Sequence, residues 1–322
     1  MKKSNLGTLG EVSRLTLGGG GIGQVWGEVS PSEAISTIHE AIDRGIDLLD
    51  SAPGYNRCEQ LIGEAFQGNL PTHVKVTTKC GLGNFEPGTA YKTLRASIEK
   101  SLKDMRLEHV DLFFLHNPTM CALPIGEEDQ RDRTHWHTDW KAYVEELIPA
   151  FERIVSDGLT GAWGLTGIDV PTAIIDAVSQ QPRPAVVQIV ANLMDSPGSL
   201  TEQVTNARPR EIIAAAQKHG VGVMGIRAVQ AGALTRSFDR NVEPDNIDFL
   251  DFERASTFRS LCDNWGEDPA IVAHRYALGM EGIDTLVLGV KNRAELRGCL
   301  DAEEAGPLES DRVAAIDALG LR

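Results

Sequence analysis

The sequence predicts an α/β fold: a closed (β/α)8 barrel of the TIM type, a single domain with long loops at the C-terminal face of its strands. Three observations carry this. Apolar runs of strand length alternate with amphipathic helical runs along all 322 residues. Eight such strands can be counted, and no change of composition marks a boundary, so residues 1–322 read as one domain. The chain is 42% apolar, enough for a large core, and (β/α)8 barrels routinely use this length as one unit. Strands that are apolar on both faces belong in a parallel sheet covered by helices, and eight repeats suit closure better than an open sheet.

The first strand is expected at Leu15-Thr16-Leu17, leading into the glycines from Gly18 to Gly23. Ser32 reads as the cap of a helix over Glu33–Arg44, where Ala34, Ile38, Ala41 and Ile42 share a face. Gly45 then stands where a left-handed residue is wanted. Further strands are expected at Ile46–Asp50, Val74–Thr78, Val110–Leu115, Gly161–Leu165, Ala185–Val190, Val221–Gly225 and Thr285–Leu288. Between and after them, helices are expected at Glu59–Gln67, Thr89–Asp104, Trp140–Ser156, Thr172–Ser179, Arg210–His219, Pro269–Met280, Arg293–Leu300 and Arg312–Leu319. Two connections are long, Asn117 to Asp139 and Arg227 to about Asp268. Both follow a strand, which places them on the catalytic face, where long loops carry function.

Thirty-one Lys+Arg against 46 Asp+Glu leave a net charge of -15, which argues against nucleic acid and anionic membranes as partners. The expected partner is a small molecule, and the sequence carries no signature of oligomeric state. Five cysteines, Cys58, Cys80, Cys121, Cys262 and Cys299, are scattered and form no C-x-x-C pair. That fits a reducing compartment and neither a disulfide framework nor a metal site. The N-terminal Met1-Lys2-Lys3-Ser4-Asn5 is followed by Gly7, Gly10 and Glu11, not by an apolar stretch, so a cytoplasmic protein is expected.

Four polar residues stand where barrel chemistry is placed. Asp50 ends Leu48-Leu49-Asp50, Tyr55 follows it, Lys79 ends Val74-Lys75-Val76-Thr77-Thr78-Lys79, and His116 follows Asp111-Leu112-Phe113-Phe114-Leu115. A phenol with a reference pKa of about 10 donates its proton poorly at neutral pH. A nearby ammonium stabilises the phenolate and eases transfer to a forming alkoxide. A buried ammonium needs a carboxylate partner, which Asp50 supplies. A neutral imidazole at His116 would orient a carbonyl by hydrogen bonding. Each residue has a bland alternative: Asp50 as a helix-entry residue, Lys79 as a strand end reaching for solvent, His116 as a satisfied core histidine. The four together, in this order, favour chemistry.

Two motifs mislead. Gly18-Gly19-Gly20-Gly21-Ile22-Gly23 satisfies G-x-G-x-x-G, but the next helix arrives only after Pro31, and Asp50 lies beyond the spacing of about twenty residues that a dinucleotide fold requires. A flexible loop at the barrel mouth is expected there instead, with Trp26 as a wall of the substrate pocket. His135-Trp136-His137 lacks a third ligand at suitable spacing, so no metal is expected. No G-x-S-x-G, G-K-[ST] or H-E-x-x-H is present.

The run Leu49-Asp50-Ser51-Ala52-Pro53-Gly54-Tyr55-Asn56, with Glu59 and Leu61-Ile62-Gly63, resembles the aldo-keto reductase family's D-[ST]-A-x-x-Y-G…E…[LI]-G. Thr78-Lys79 and Leu115-His116-Asn117-Pro118 match its lysine and histidine segments. The similarity continues through Gly161-Ala162-Trp163-Gly164-Leu165-Thr166, Val187-Gln188, the 220–235 segment and Gly289-Val290-Lys291-Asn292, covering roughly residues 10 to 305. The resemblance implies an oxidoreductase that moves hydride between a nicotinamide cofactor and an aldehyde, ketone or sugar. In it Tyr55 is the general acid/base, Asp50 and Lys79 tune it, and His116 positions the carbonyl. It also implies that Asp50, Thr166, Gly167 and Gln188 hold the nicotinamide end. Arg227, Val229, Gly232 and Leu234 would cover the pyrophosphate, and Gly289, Lys291, Asn292 and Glu295 the adenosine end. NADP(H) is the expected cofactor, because Lys291 and a helix start near Asn292 attract a 2′-phosphate; NAD(H) is the alternative, as is a cofactor-binding regulatory subunit. The chain departs from the family at Gly167 (commonly Asn), Ala191 (commonly an aromatic ring against the nicotinamide), Arg227-Ala228 (Ser-Pro), Asn292 (Arg) and Cys299 (Asn).

Overall fold

The computed structural model describes residues 1–83, 85–117, 119–121, 137–168, 170–200 and 207–322, with the side chains of 119–121 and 137 left aside. Pro118 and most of the 117–139 connection, including His135 and Trp136, fall outside the described residues.

Eight parallel strands close into a barrel: β1 (Leu15–Gly18), β2 (Leu48–Asp50), β3 (Lys75–Cys80), β4 (Val110–Leu115), β5 (Thr160–Thr166), β6 (Val186–Val190), β7 (Gly222–Ile226) and β8 (Thr285–Leu288). Neighbours in sequence are neighbours in the barrel, and β8 pairs with β1 to close it. Around it run α1 (Pro31–Asp43), α2 (Cys58–Phe66), α3 (Ala90–Met105), α4 (Ile148–Ser156), α5 (Pro171–Ser179), α6 (Pro209–Lys218), α7 (Ile247–Arg254), α8 (Ser256–Trp265), α9 (Pro269–Gly279), α10 (Arg293–Ala305) and α11 (Ser310–Asp317).

The period of two along each strand sorts side chains into two cores. Leu48, Leu112, Phe114, Val186 and Met224 fill the barrel interior, whose N-terminal end is plugged by Leu6 and Val12. Those two belong to an antiparallel hairpin, Lys3–Asn5 with Glu11–Ser13, that the alternating pattern did not reveal. Leu49, Val76, Phe113, Leu165, Val187, Ile189 and Leu286 face outward into the layer beneath the helices.

Several boundaries differ from expectation for local reasons. Ser30, not Ser32, caps α1: its hydroxyl accepts from Glu33 N–H at 3.2 Å, and Pro31 fits the first helical position, where no N–H is needed. Gly45 does follow α1 with φ of 92°. The run Trp140–Ser156 is helical throughout but passes through a π-helical turn at Tyr143–Leu147, just before Pro149, which has no N–H for a regular ladder. The 227–268 connection is not an open loop; it contains α7 and α8. The glycine run is not an irregular loop throughout either. Gly19–Ile22 forms a helical turn, and a Cβ added at Gly19, Gly21 or Gly23 would collide with Cys58 Sγ, the Val290 carbonyl or the Tyr55 carbonyl. These glycines permit close packing of the β1 end against the neighbouring loops.

Candidate active site

The barrel brings Asp50, Tyr55, Lys79 and His116 together at the C-terminal end of β2, β3 and β4. Asp50 and Thr77 are register partners on adjacent strands, and Lys79 lies two residues beyond Thr77, on the same inward face. Lys79 Nζ donates to Asp50 Oδ2 at 2.7 Å and to the Ser51 carbonyl at 2.8 Å. Asp50 Oδ1 accepts from Thr77 Oγ1 at 2.8 Å and from Gln188 Nε2 at 2.6 Å. The carboxylate is therefore held by three side-chain donors in a pair whose members are 0% and 2% exposed. The Lys79 ammonium lies 4.6 Å from the Tyr55 ring centroid, and the Tyr55 and His116 rings meet edge to face at 5.7 Å. On the outer face of β3, the buried Glu59 of α2 accepts from Thr78 Oγ1 at 2.6 Å, fixing the strand from behind.

Burial and these charges set the protonation states. Burial pushes Lys79 down, but Asp50 and Tyr55 outweigh it and hold the ammonium above its ordinary value. Burial raises the Tyr55 phenol and Lys79 opposes that rise, leaving the group protonated and beside a cation ready to receive its negative charge. His116 is pushed down to about 3 by burial first and by Lys79 second, so at neutral pH it is an uncharged imidazole.

Further round the mouth, Gln188 on β6 faces inward and is almost fully buried, and Thr166 ends β5 with its hydroxyl donating to the Leu115 carbonyl at 2.9 Å. Gly167 N–H donates to the Gln188 carbonyl at 2.6 Å. Gly232 has φ of 92°, and Val229 is half-buried. Trp26 lies beside Gly20 and Gly289, at the β1 and β8 ends. Its Nε1 is 3.9 Å from where a Cβ on Gly289 would stand, and its ring carries the Arg240 guanidinium at 5.3 Å. Lys291, Asn292 and Glu295 sit together at the start of α10.

Residues 14–320 match the model of the Aldo/keto reductase family. The chain belongs to the aldo/keto reductase family. An L-galactose dehydrogenase from Arabidopsis thaliana is 24% identical over 92% of this chain and 87% of its own. An NADH-specific methylglyoxal reductase from Escherichia coli is 24% identical over 76% of this chain and 72% of its own. Among solved structures, a Bacillus halodurans aldo-keto reductase in its holo form superposes with a TM-score of 0.73 at 21% identity, covering 99% of this chain and 96% of the other. The protein is thus an NAD(P)H-dependent oxidoreductase of this family, acting on small carbonyl compounds, and no helix among the described residues is long and apolar enough to cross a membrane.

For an aldo/keto reductase, the inner residues fit the nicotinamide end of the cofactor. Gln188 commits its amide nitrogen to Asp50, while its Oε1 accepts no hydrogen bond from the described residues and stands ready for an amide N–H. Thr166 has likewise spent its hydrogen and keeps an accepting oxygen. The pyrophosphate residues fit less directly. The Arg227 side chain turns into the protein, donating to Asp248 Oδ1 at 2.9 Å and to the Pro197 carbonyl at 2.6 Å, and Leu234 is wholly buried, so neither side chain lines the mouth.

Ala191 requires a correction. It lies one residue beyond β6, in phase with Val187 and Ile189, and so belongs to the outer layer. It is fully buried there, against the position a Gly225 Cβ would take. A ring at 191 could not reach a nicotinamide. The inward residue at the neighbouring strand end is Ile226, in phase with Met224 on β7 and partly exposed. Thr77 is the other residue that sequence reasoning passed over. Its spacing of two from Lys79 was the available signal, because on a strand it places the hydroxyl on the same face.

Proposed function

We propose that this aldo/keto reductase transfers hydride between NAD(P)H and the carbonyl carbon of an aldehyde, ketone or sugar, and runs the same chemistry backwards on the alcohol. The observation that carries this is the buried Asp50–Lys79 pair beside a protonated Tyr55 and an uncharged His116. Bound nicotinamide supplies or accepts the hydride. The substrate oxygen sits between Tyr55 and His116. His116 donates a neutral hydrogen bond that orients the carbonyl without contributing charge. Tyr55 releases its phenolic proton to the oxygen as the alkoxide develops, and Lys79 stabilises the phenolate left behind. Asp50, tied by Thr77 and Gln188, keeps Lys79 charged and aimed.

The similarity to an L-galactose dehydrogenase supports a sugar as substrate in the oxidative direction. Four buried free thiols among the described residues support a cytoplasmic setting. The expectation of NADP(H) rests on Lys291, whose ammonium stands between the carboxylates of Asp239 and Glu295.

The test is cofactor oxidation with NADPH and NADH in parallel across aldehydes, ketones and sugars, in the wild type and in Tyr55→Phe. Loss of the phenol should cut turnover about a hundredfold or more, the scale of general acid catalysis, while cofactor binding persists. Turnover close to wild type would remove Tyr55 from the mechanism.

A further inference from the structure

The loops after the seventh and eighth strands of a (β/α)8 barrel, with the N-terminus of a following helix, form the usual cradle for a phosphate. In this chain that cradle is made by residues 227–240, by Gly289–Lys291 and by the start of α10, and its lysine and the helix start are already engaged by carboxylates. Glu295 Oε2 accepts the Lys291 backbone N–H at 2.8 Å, and Oε1 accepts from Asn292 Nδ2 at 3.1 Å. Asn292 Oδ1 in turn accepts the Glu295 N–H at 3.0 Å, a reciprocal cap that satisfies the free groups of the helix start. Lys291 Nζ, the cation on which NADP(H) recognition would depend, lies 2.5 Å from Asp239 Oδ2 and 3.8 Å from Glu295 Oε1. The next cation, Arg293, is engaged by Glu33, which accepts from its backbone N–H at 3.0 Å and from its guanidinium at 3.2 and 2.9 Å. Arg240, 3.9 Å from Asp239 Oδ1, is the third cation of the group, so three cations face three carboxylates and no surplus positive charge is left for a phosphate monoester carrying close to two negative charges.

We infer that Glu295 and Asp239 make this aldo/keto reductase select NAD(H) over NADP(H). A ribose 2′-hydroxyl brings no charge and can donate to a carboxylate, the arrangement by which acidic residues recognise NAD in other folds. A 2′-phosphate must either displace Asp239 from Lys291 or approach Glu295 as a like charge, and like-charge juxtaposition is strongly unfavourable. The inference rests on the reading that a nicotinamide dinucleotide lies across the mouth with its adenosine end at α10.

The experiment is titration of the full chain with NADH and with NADPH, read by quenching of tryptophan fluorescence and needing no substrate. Wild type should bind NADH at least about tenfold more tightly than NADPH. The double variant Glu295→Gln, Asp239→Asn should narrow that ratio about tenfold or more, by tightening NADPH and weakening NADH. Gln at 295 still serves the reciprocal cap, so the helix start is retained. A wild type that binds NADPH as tightly as NADH, or a ratio the double variant leaves unmoved, overturns the inference alone. Failure of both dinucleotides to bind overturns the hydride-transfer reading as well.

Discussion

Asp50→Asn is the substitution whose cost follows most directly from the geometry. The variant keeps the shape of the side chain and removes the counter-charge 2.7 Å from Lys79 Nζ, where the two side chains are 0% and 2% exposed. Deleting one partner of a buried pair costs about 3–5 kcal/mol, because the other charge stays in a poorly solvated place. An exposed pair would cost about 1 kcal/mol or less.

The pH dependence sharpens the test. In the wild type, folded Lys79 is held above its unfolded value, so the pair's contribution is fully present below about pH 10.4 and is lost only as pH rises through the folded value. In Asp50→Asn, burial becomes the dominant influence and the folded pKa drops below the unfolded one. Between the two values the unfolded chain binds more protons, so the variant gains stability as pH rises. The deficit should be largest near neutrality and should shrink toward about pH 10. Urea unfolding of both proteins, followed by far-ultraviolet circular dichroism at about pH 6, 7.5 and 9, measures it directly. A deficit under about 1 kcal/mol, or one that does not change with pH, would refute the account of a buried, charged Lys79 sustained by Asp50.

Two further expectations follow from the site. Because the His116 pKa is pushed down to about 3, its imidazole should not titrate in the working range. The wild-type turnover profile should therefore be free of a histidine limb between about pH 5 and 8, and a limb near 6.5 that His116→Gln abolishes would contradict the uncharged donor. Ala191→Tyr places a ring in the filled outer layer, so it should destabilise the fold by about 1–3 kcal/mol and leave NADH affinity unchanged once the protein is folded. Tighter cofactor binding in that variant would show that position 191 does reach the nicotinamide.

Much of this protein was legible in the order of its residues. Continuous apolar runs alternating with helical faces of period three to four placed all eight barrel strands to within about two residues, because the faces each element must bury are written locally. The four chemical residues were legible for a related reason. A carboxylate, a phenol, an ammonium and an imidazole at or just beyond successive strand ends converge in any parallel barrel. Tertiary structure alone decided what each residue faces. Ala191 and Ile226 are both apolar residues at strand ends, and only strand phase relative to the barrel axis puts one in the helix-covered layer and the other at the mouth. The glycines from Gly18 to Gly23 have the composition of a flexible loop, yet contacts with Tyr55, Cys58 and Val290, distant in sequence or across the barrel seam, turn them into close packing. Lys291 looks like a phosphate cation in sequence. Its partner Asp239 lies more than fifty residues away, and only the folded chain brings that carboxylate to the ammonium and changes what the site can accept.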